Sequence, residues 1–259
     1  MKLAIATVCL FALFGAFGLA GEESPFAGTW KLNQAKSHLT GDTMKFTDAG
    51  SGAVRMTAGG LSYTFKIDGK AYPTPYDTTV AWKQLDGSAW ELTIKKGEKV
   101  LETDTCKLSS DGKTINFESK GTKPDGESFD DTSVYERTAG QSGLLGTWKS
   151  KQVNMSAPAV LEMKAWGADG MAVNFPDYQA TCDARFDGKD YPATGPTMPD
   201  ALTLALTRTG PHSFRMLTKM KGKPVATDTF SISADGKTLT DVSTPVAVHE
   251  PQTYVYERQ

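Results

Sequence analysis

Two acidic residues are the best candidates for chemistry in this 259-residue sequence, because each sits among apolar residues on an alternating segment. Asp104 is in register with Cys106 and Leu108, and Asp228 with Phe230 and Ile232, so period-two alternation turns both carboxyls inward. A buried carboxylate is costly unless it is paired or hydrogen-bonded. Each must therefore bind a cation, such as an arginine of its own module, or meet a polar group on a ligand, unless a bulge turns it outward. Other groups offer less. His38, His212 and His249 are isolated from one another and from any acidic or cysteine cluster, and no His-x-His, His-Glu-x-x-His or Cys-x-x-Cys spacing is present. The sequence thus calls for no metal, haem or other cofactor. It also contains no Gly-x-Ser-x-Gly elbow or phosphate loop, and no catalytic residue can be nominated. Cys106 and Cys182 could pair in an oxidising compartment, or remain two separately buried thiols.

The segments that position these residues read as strands. Leu61, Tyr63, Phe65 and Ile67 share one face, as do Trp90, Leu92 and Ile94. Asp-Gly pairs at 68–69, 86–87, 111–112, 187–188 and 235–236 predict tight hairpin turns with positive φ, which make consecutive strands antiparallel neighbours. No segment carries a helical apolar stripe over three turns.

Four blocks occur twice in the same order. Gly28-Thr29-Trp30-Lys31 returns at 146–149, and Asp68-Gly69-Lys70-Ala71-Tyr72-Pro73 returns with one change at 187–192. Ser109-Ser110-Asp111-Gly112-Lys113-Thr114 returns with one change at 233–238, and Val134-Tyr135-Glu136-Arg137 returns at 255–258. An ordered set of repeats marks a duplicated module. The sequence predicts a first copy over 26–137, a small polar linker at 138–143 and a second copy over 144–258. With about eight or nine strands in each copy, an open sheet would leave long unpaired edges, so the expected fold is all-β, two tandem small antiparallel barrels.

Before the first copy, Lys2 precedes an apolar run from Leu3 to Leu19 and a small-residue exit at Ala20. That is the layout of a Sec-type signal peptide over 1–20, and it predicts a secreted or periplasmic protein with no membrane insertion after cleavage. With 28 Lys+Arg against 30 Asp+Glu, the chain lacks the basic excess that binding to nucleic acid or anionic lipid requires.

A Gly-x-Trp on the first strand with an Arg on the last resembles the minimal lipocalin signature. The matching residues are Gly28, Trp30 and Arg137 in the first copy and Gly146, Trp148 and Arg258 in the second. The wider pattern is similar to lipocalin-like proteins exported by environmental bacteria, particularly acidobacteria. The resemblance implies that the Trp closes one end of an up-and-down barrel and that the Arg packs across it. The copies are shorter than true lipocalins and show no C-terminal helix, so a roomy ligand cup does not carry over.

Inward parity assigns Met44, Phe46, Tyr63, Phe65, Trp82, Trp90 and Leu92 to the interior of the first copy, and Phe186, Leu204, Leu206, Phe214 and Met216 to that of the second. Such residues either fill a barrel of this size or leave a narrow apolar pocket. If a pocket exists, its contacts are expected among Tyr63, Phe65, Trp82, Trp90, Asp104, Phe186, Phe214 and Asp228. The function expected from these features is a non-catalytic binding protein for a small apolar or lipid-like molecule. A structural module that binds an envelope protein or polysaccharide through loop tyrosines such as Tyr72, Tyr76 and Tyr191 is the alternative.

Overall fold

The computed structural model describes residues 24–58, 61–75, 77–123, 125–140, 142–196, 198–199, 201–246 and 251–259. Residues 1–20, read above as a signal peptide, together with Tyr76 and His249, lie outside the described residues. The first ten strands are β1 (Gly28–Leu32), β2 (Thr43–Gly50), β3 (Ala53–Ala58), β4 (Leu61–Lys66), β5 (Ala71–Pro73), β6 (Thr79–Gln84), β7 (Ala89–Lys96), β8 (Lys99–Leu108), β9 (Thr114–Thr122) and β10 (Ser128–Ala139). The next ten are β11 (Gly146–Asn154), β12 (Val160–Ala165), β13 (Gly170–Phe175), β14 (Ala180–Arg185), β15 (Tyr191–Pro192), β16 (Leu202–Gly210), β17 (Ser213–Met220), β18 (Lys223–Ile232), β19 (Thr238–Pro245) and β20 (Gln252–Arg258). Single 3-10 turns occur at Gln34–Lys36 and Pro176–Tyr178.

All pairings between these strands are antiparallel, and they form two nearly closed barrel-like sheets of ten strands each. The total per sheet exceeds the expected eight or nine because the short strands β5 and β15 follow the Asp-Gly-Lys turns. The sheets do not follow the repeat boundary. One runs β4-β3-β2-β11-β10-β9-β8-β7-β6-β5, a continuous stretch of chain from Thr43 to Asn154. The other runs β14-β13-β12-β1-β20-β19-β18-β17-β16-β15, so the N-terminal strand β1 completes the barrel of the second copy. Trp30 lies opposite Leu161 on one side and Arg258 on the other. Trp148 lies opposite Met44 and Arg137.

The signature residues therefore meet crosswise. The Arg258 guanidinium stacks over Trp30 at 4.2 Å, and Arg137 stacks over Trp148 at 4.0 Å. The expected grouping of Gly28 and Trp30 with Arg137, and of Gly146 and Trp148 with Arg258, is replaced by its exchange. Arg137 also donates from Nε to Gly112 O, from Nη1 to Leu145 O and from Nη2 to Gly143 O, each at 2.7 Å. It thereby clasps Gly143 and Leu145 of the β10–β11 connection inside one barrel. Gly28 and Gly146 both have φ of +149°, and a Cβ on either would run into the arginine opposite.

The repeated Asp-Gly blocks are turn chemistry. Asp111 accepts from Lys113 N at 3.0 Å and Ser109 Oγ at 2.7 Å, and Asp235 accepts from Lys237 N at 3.1 Å and Ser233 Oγ at 2.6 Å. Gly112 and Gly236 have φ of +70°. Gly87 is the exception to the predicted pattern: it does not take positive φ, and Asp86 holds that turn by accepting from Ser88 N at 2.7 Å.

Each barrel has its own core. Met44, Phe46, Tyr63, Phe65, Trp82, Trp90 and Leu92 are buried in the first, and Leu204, Leu206, Phe214 and Met216 in the second, with Phe186 packed at the edge of that cluster. Removing each large side chain from water contributes roughly 1.5–3 kcal/mol. Two stretches of chain cross between the barrels, residues 33–42 and 155–159. Gln34 ties them, donating from Nε2 to Met155 O at 2.6 Å and accepting from Met155 N at 2.7 Å.

Candidate functional site

Alternation along β8 places Glu102, Asp104 and Cys106 on its inner face, and a register shift between Ile94 and Lys95 of β7 leaves Leu101 bulged just before Glu102. Across the sheet, Asp104 lies between Leu92 of β7 and Ser119 of β9. Asp104 is 7% exposed, and its Oδ1 has no hydrogen-bond partner. Its polar neighbours are Glu102 and Ser119, not a cation. The expected arginine partner is thus replaced by a second acid.

Burial raises the Glu102 carboxyl to about 8, and the charge of Asp104 beside it acts in the same direction. Burial also raises Asp104 above the usual carboxylate range. The two carboxyls lie side by side, and ionising either one opposes ionising the other, so the pair keeps a proton near neutral pH. Burial likewise pushes the Tyr63 and Tyr135 hydroxyls up to about 12, with Asp104 adding to both shifts.

This acid pair lies on the wall of a cavity of about 1050 Å³. Tyr63, Val80, Trp82 and Leu92 line it from the first barrel, while Leu32, Leu202, Tyr254 and Tyr256 line it from the second. Met155, Ala157 and Ala159 of the crossing stretch complete the wall between them. A smaller chamber of about 240 Å³ adjoins it, sharing Glu102, Ser119, Tyr135 and Tyr254, and reaches Asp42 and Gln252. At the rim, Lys123 Nζ lies 3.0 Å from Glu127 and 3.2 Å from Asp177, joining the two copies. Asp125, Glu127 and Asp177 bring carboxylate oxygens within 4.8 Å of one another, and the Lys123 ammonium already supplies positive charge there.

Of the residues nominated from sequence, Tyr63, Trp82 and Asp104 come together on this cavity. Phe65 and Trp90 lie behind it in the core, Phe65 stacking on Trp82 at 4.8 Å between ring centroids. Phe186, Phe214 and Asp228 belong to the other barrel and do not line the cavity. Phe214 is sandwiched by ring contacts with Phe230 at 4.8 Å and Phe26 at 4.9 Å, so that part of the interior is filled. Asp228 is buried near a second acid, Asp241, whose carboxyl is pushed up to about 8 by burial and by the Asp228 charge. Cys106 and Cys182 are free, buried thiols, one in each barrel.

Glu102, Ser119, Tyr135 and Tyr254 were not nominated from sequence. Glu102 could have been found, since it stands two residues before Asp104 on the same face. Tyr254 could not, because it reaches the cavity from the second copy through the exchange of β1 and β11.

Comparison with known proteins finds no family model that matches this chain and no matching curated protein. The fold is that of a tandem β-barrel protein.

Proposed function

We propose that this is an exported, non-catalytic binding protein of the periplasm or medium, built from lipocalin-like barrels, that takes up one small apolar or lipid-like molecule. The observation that carries this reading is the cavity of about 1050 Å³, mostly apolar in lining, with a buried and unpartnered carboxyl oxygen on its wall. Ligand sites typically occupy roughly 300–1000 Å³, with a few convergent polar groups fixing orientation. The acid pair does not have the geometry of a glycosidase. Hydrolysis of a glycosidic bond needs carboxyls on opposite sides of it, about 5–9.5 Å apart, whereas Glu102 and Asp104 touch on one wall.

For the alternative, a surface interaction module, two of the loop tyrosines have a local role. Tyr72 and Tyr191 donate their hydroxyls to Asp68 at 3.0 Å and Asp187 at 3.1 Å, buttressing the repeated turns.

Titration with the neutral dye Nile red tests the proposal. Fluorescence should rise to a plateau at one dye per chain, and Ala159→Trp, which fills the cavity from the crossing stretch, should abolish the rise while leaving the circular dichroism spectrum intact. No rise, or a rise that Ala159→Trp leaves unchanged, would count against it.

A further inference from the structure

We infer that the cavity selects ligands carrying a protonated amine, an inference that rests on the small-molecule binding proposed above and narrows its chemistry. One buried carboxyl oxygen on the cavity wall lacks a partner: Asp104 Oδ1, in a residue 7% exposed. A buried polar atom left unpaired costs about 1–3 kcal/mol, so a ligand that satisfies it recovers that cost. A carboxyl oxygen with an open lone pair, beside a second carboxyl that can also ionise, asks for a donor with positive charge.

The charge balance of the cavity agrees. The titratable groups that line the cavity with the acid pair are Tyr63 from β4, Asp131 and Tyr135 from β10, Tyr254 and Tyr256 from β20, and Lys123, Asp177 and Tyr178. Lys123 is taken by Asp177 and Glu127. With Glu102 holding its proton, the pair carries the single charge of Asp104, and Lys123, the one cation among the described lining residues, is already engaged, so the space keeps a negative field. Anionic headgroups such as free carboxylates are opposed by that field, and a neutral alcohol gains only a hydrogen bond.

The aromatic lining completes the site. Tyr63, Trp82, Phe117 and Tyr135 line the same cavity as Asp104, with Phe117 and Tyr135 in edge contact at 5.7 Å. Aromatic faces around a carboxylate attract an ammonium group through their quadrupoles as well as its alkyl chain through burial.

The test is calorimetric titration of the full mature chain with decylamine, decanol and decanoic acid, which share one chain length and differ in the headgroup. Decylamine should bind at least tenfold more tightly than decanol, and decanoate should bind more weakly than either. In Asp104→Asn with Glu102→Gln the preference of amine over alcohol should fall below twofold, while decanol affinity stays within threefold. Equal binding of decylamine and decanol to the unmodified chain would overturn the amine inference and leave the apolar cavity standing. Binding of none of the three would overturn both readings. The comparison among headgroups on the unmodified chain decides the question even if the double variant does not fold.

Discussion

The acid pairs give residue-scale predictions with a definite sign. Glu102 and Asp241 both hold their protons to about pH 8 in the folded chain, well above the values of their exposed counterparts. A carboxyl whose affinity for its proton is higher folded than unfolded stabilises the fold fully below the unfolded value. That contribution is lost as pH rises through the folded value, because the unfolded chain binds fewer protons in between. Thermal stability should therefore decline from about pH 5 toward pH 8, and Glu102→Gln with Asp241→Asn should flatten the decline; a stability that rises over this window would contradict the pairing. The inward direction of Asp104 and Asp228 was legible from parity alone. So was the Glu102 partner of Asp104, two residues away on the same face, whereas Asp241 was not, because it meets Asp228 from a neighbouring strand. Arg137 makes a second case. Its stacking on Trp148 and three backbone hydrogen bonds should make Arg137→Ala cost roughly 2 kcal/mol, measured by urea unfolding. Arg137→Lys should recover little of it, since an ammonium cannot bridge three carbonyls in one plane.

At the scale of elements, the repeat was legible and its assembly was not. β1 and β11 carry the same Gly-Thr-Trp-Lys, so either can fill the same slot in either barrel. Connection length decides between them. The connection from Ala139 to Gly146 is short and β10 pairs with β11 directly, whereas the longer stretch 33–42 carries the chain from β1 across to the other barrel. What reads in sequence as a polar linker is therefore a hairpin clasped by Arg137. A fragment spanning 40–156 contains all ten strands of one barrel and should fold cooperatively, whereas 40–137, which lacks both β11 and the matching β1, exposes the edges of β2 and β10. Amide exchange of the two fragments distinguishes them: protection of β2 and β10 in the shorter one would contradict the exchange. Gly121 shows the same dependence on geometry within a strand. A Cβ there would lie 2.4 Å from Leu101 O and 2.5 Å from the Phe129 ring. Gly121→Ala should destabilise the barrel by about 1–3 kcal/mol, the usual cost of overpacking, and thermal melting would show it.

For the whole molecule, the crossing of the chain has a functional consequence. Two barrels joined by a flexible linker would each present a separate mouth, and bulky residues such as Phe214 and Phe230 fill much of the interior of one. Crossing the chain twice, with Gln34 tying the crossings together, sets Leu32, Tyr254 and Tyr256 of one barrel against the acid-lined interior of the other. The space between them holds a cavity that neither repeat encloses alone, which is why inward parity within each copy named only part of its lining. Occupancy of that cavity by a small molecule in the protein's own setting is the central requirement. Native and then denaturing mass spectrometry of the protein purified from the organism that makes it tests this most directly. A chain beginning after Ala20 that carries one extra small mass, lost only on denaturation, is the predicted result. A native mass equal to that of the bare polypeptide, from protein that remains folded, would contradict it.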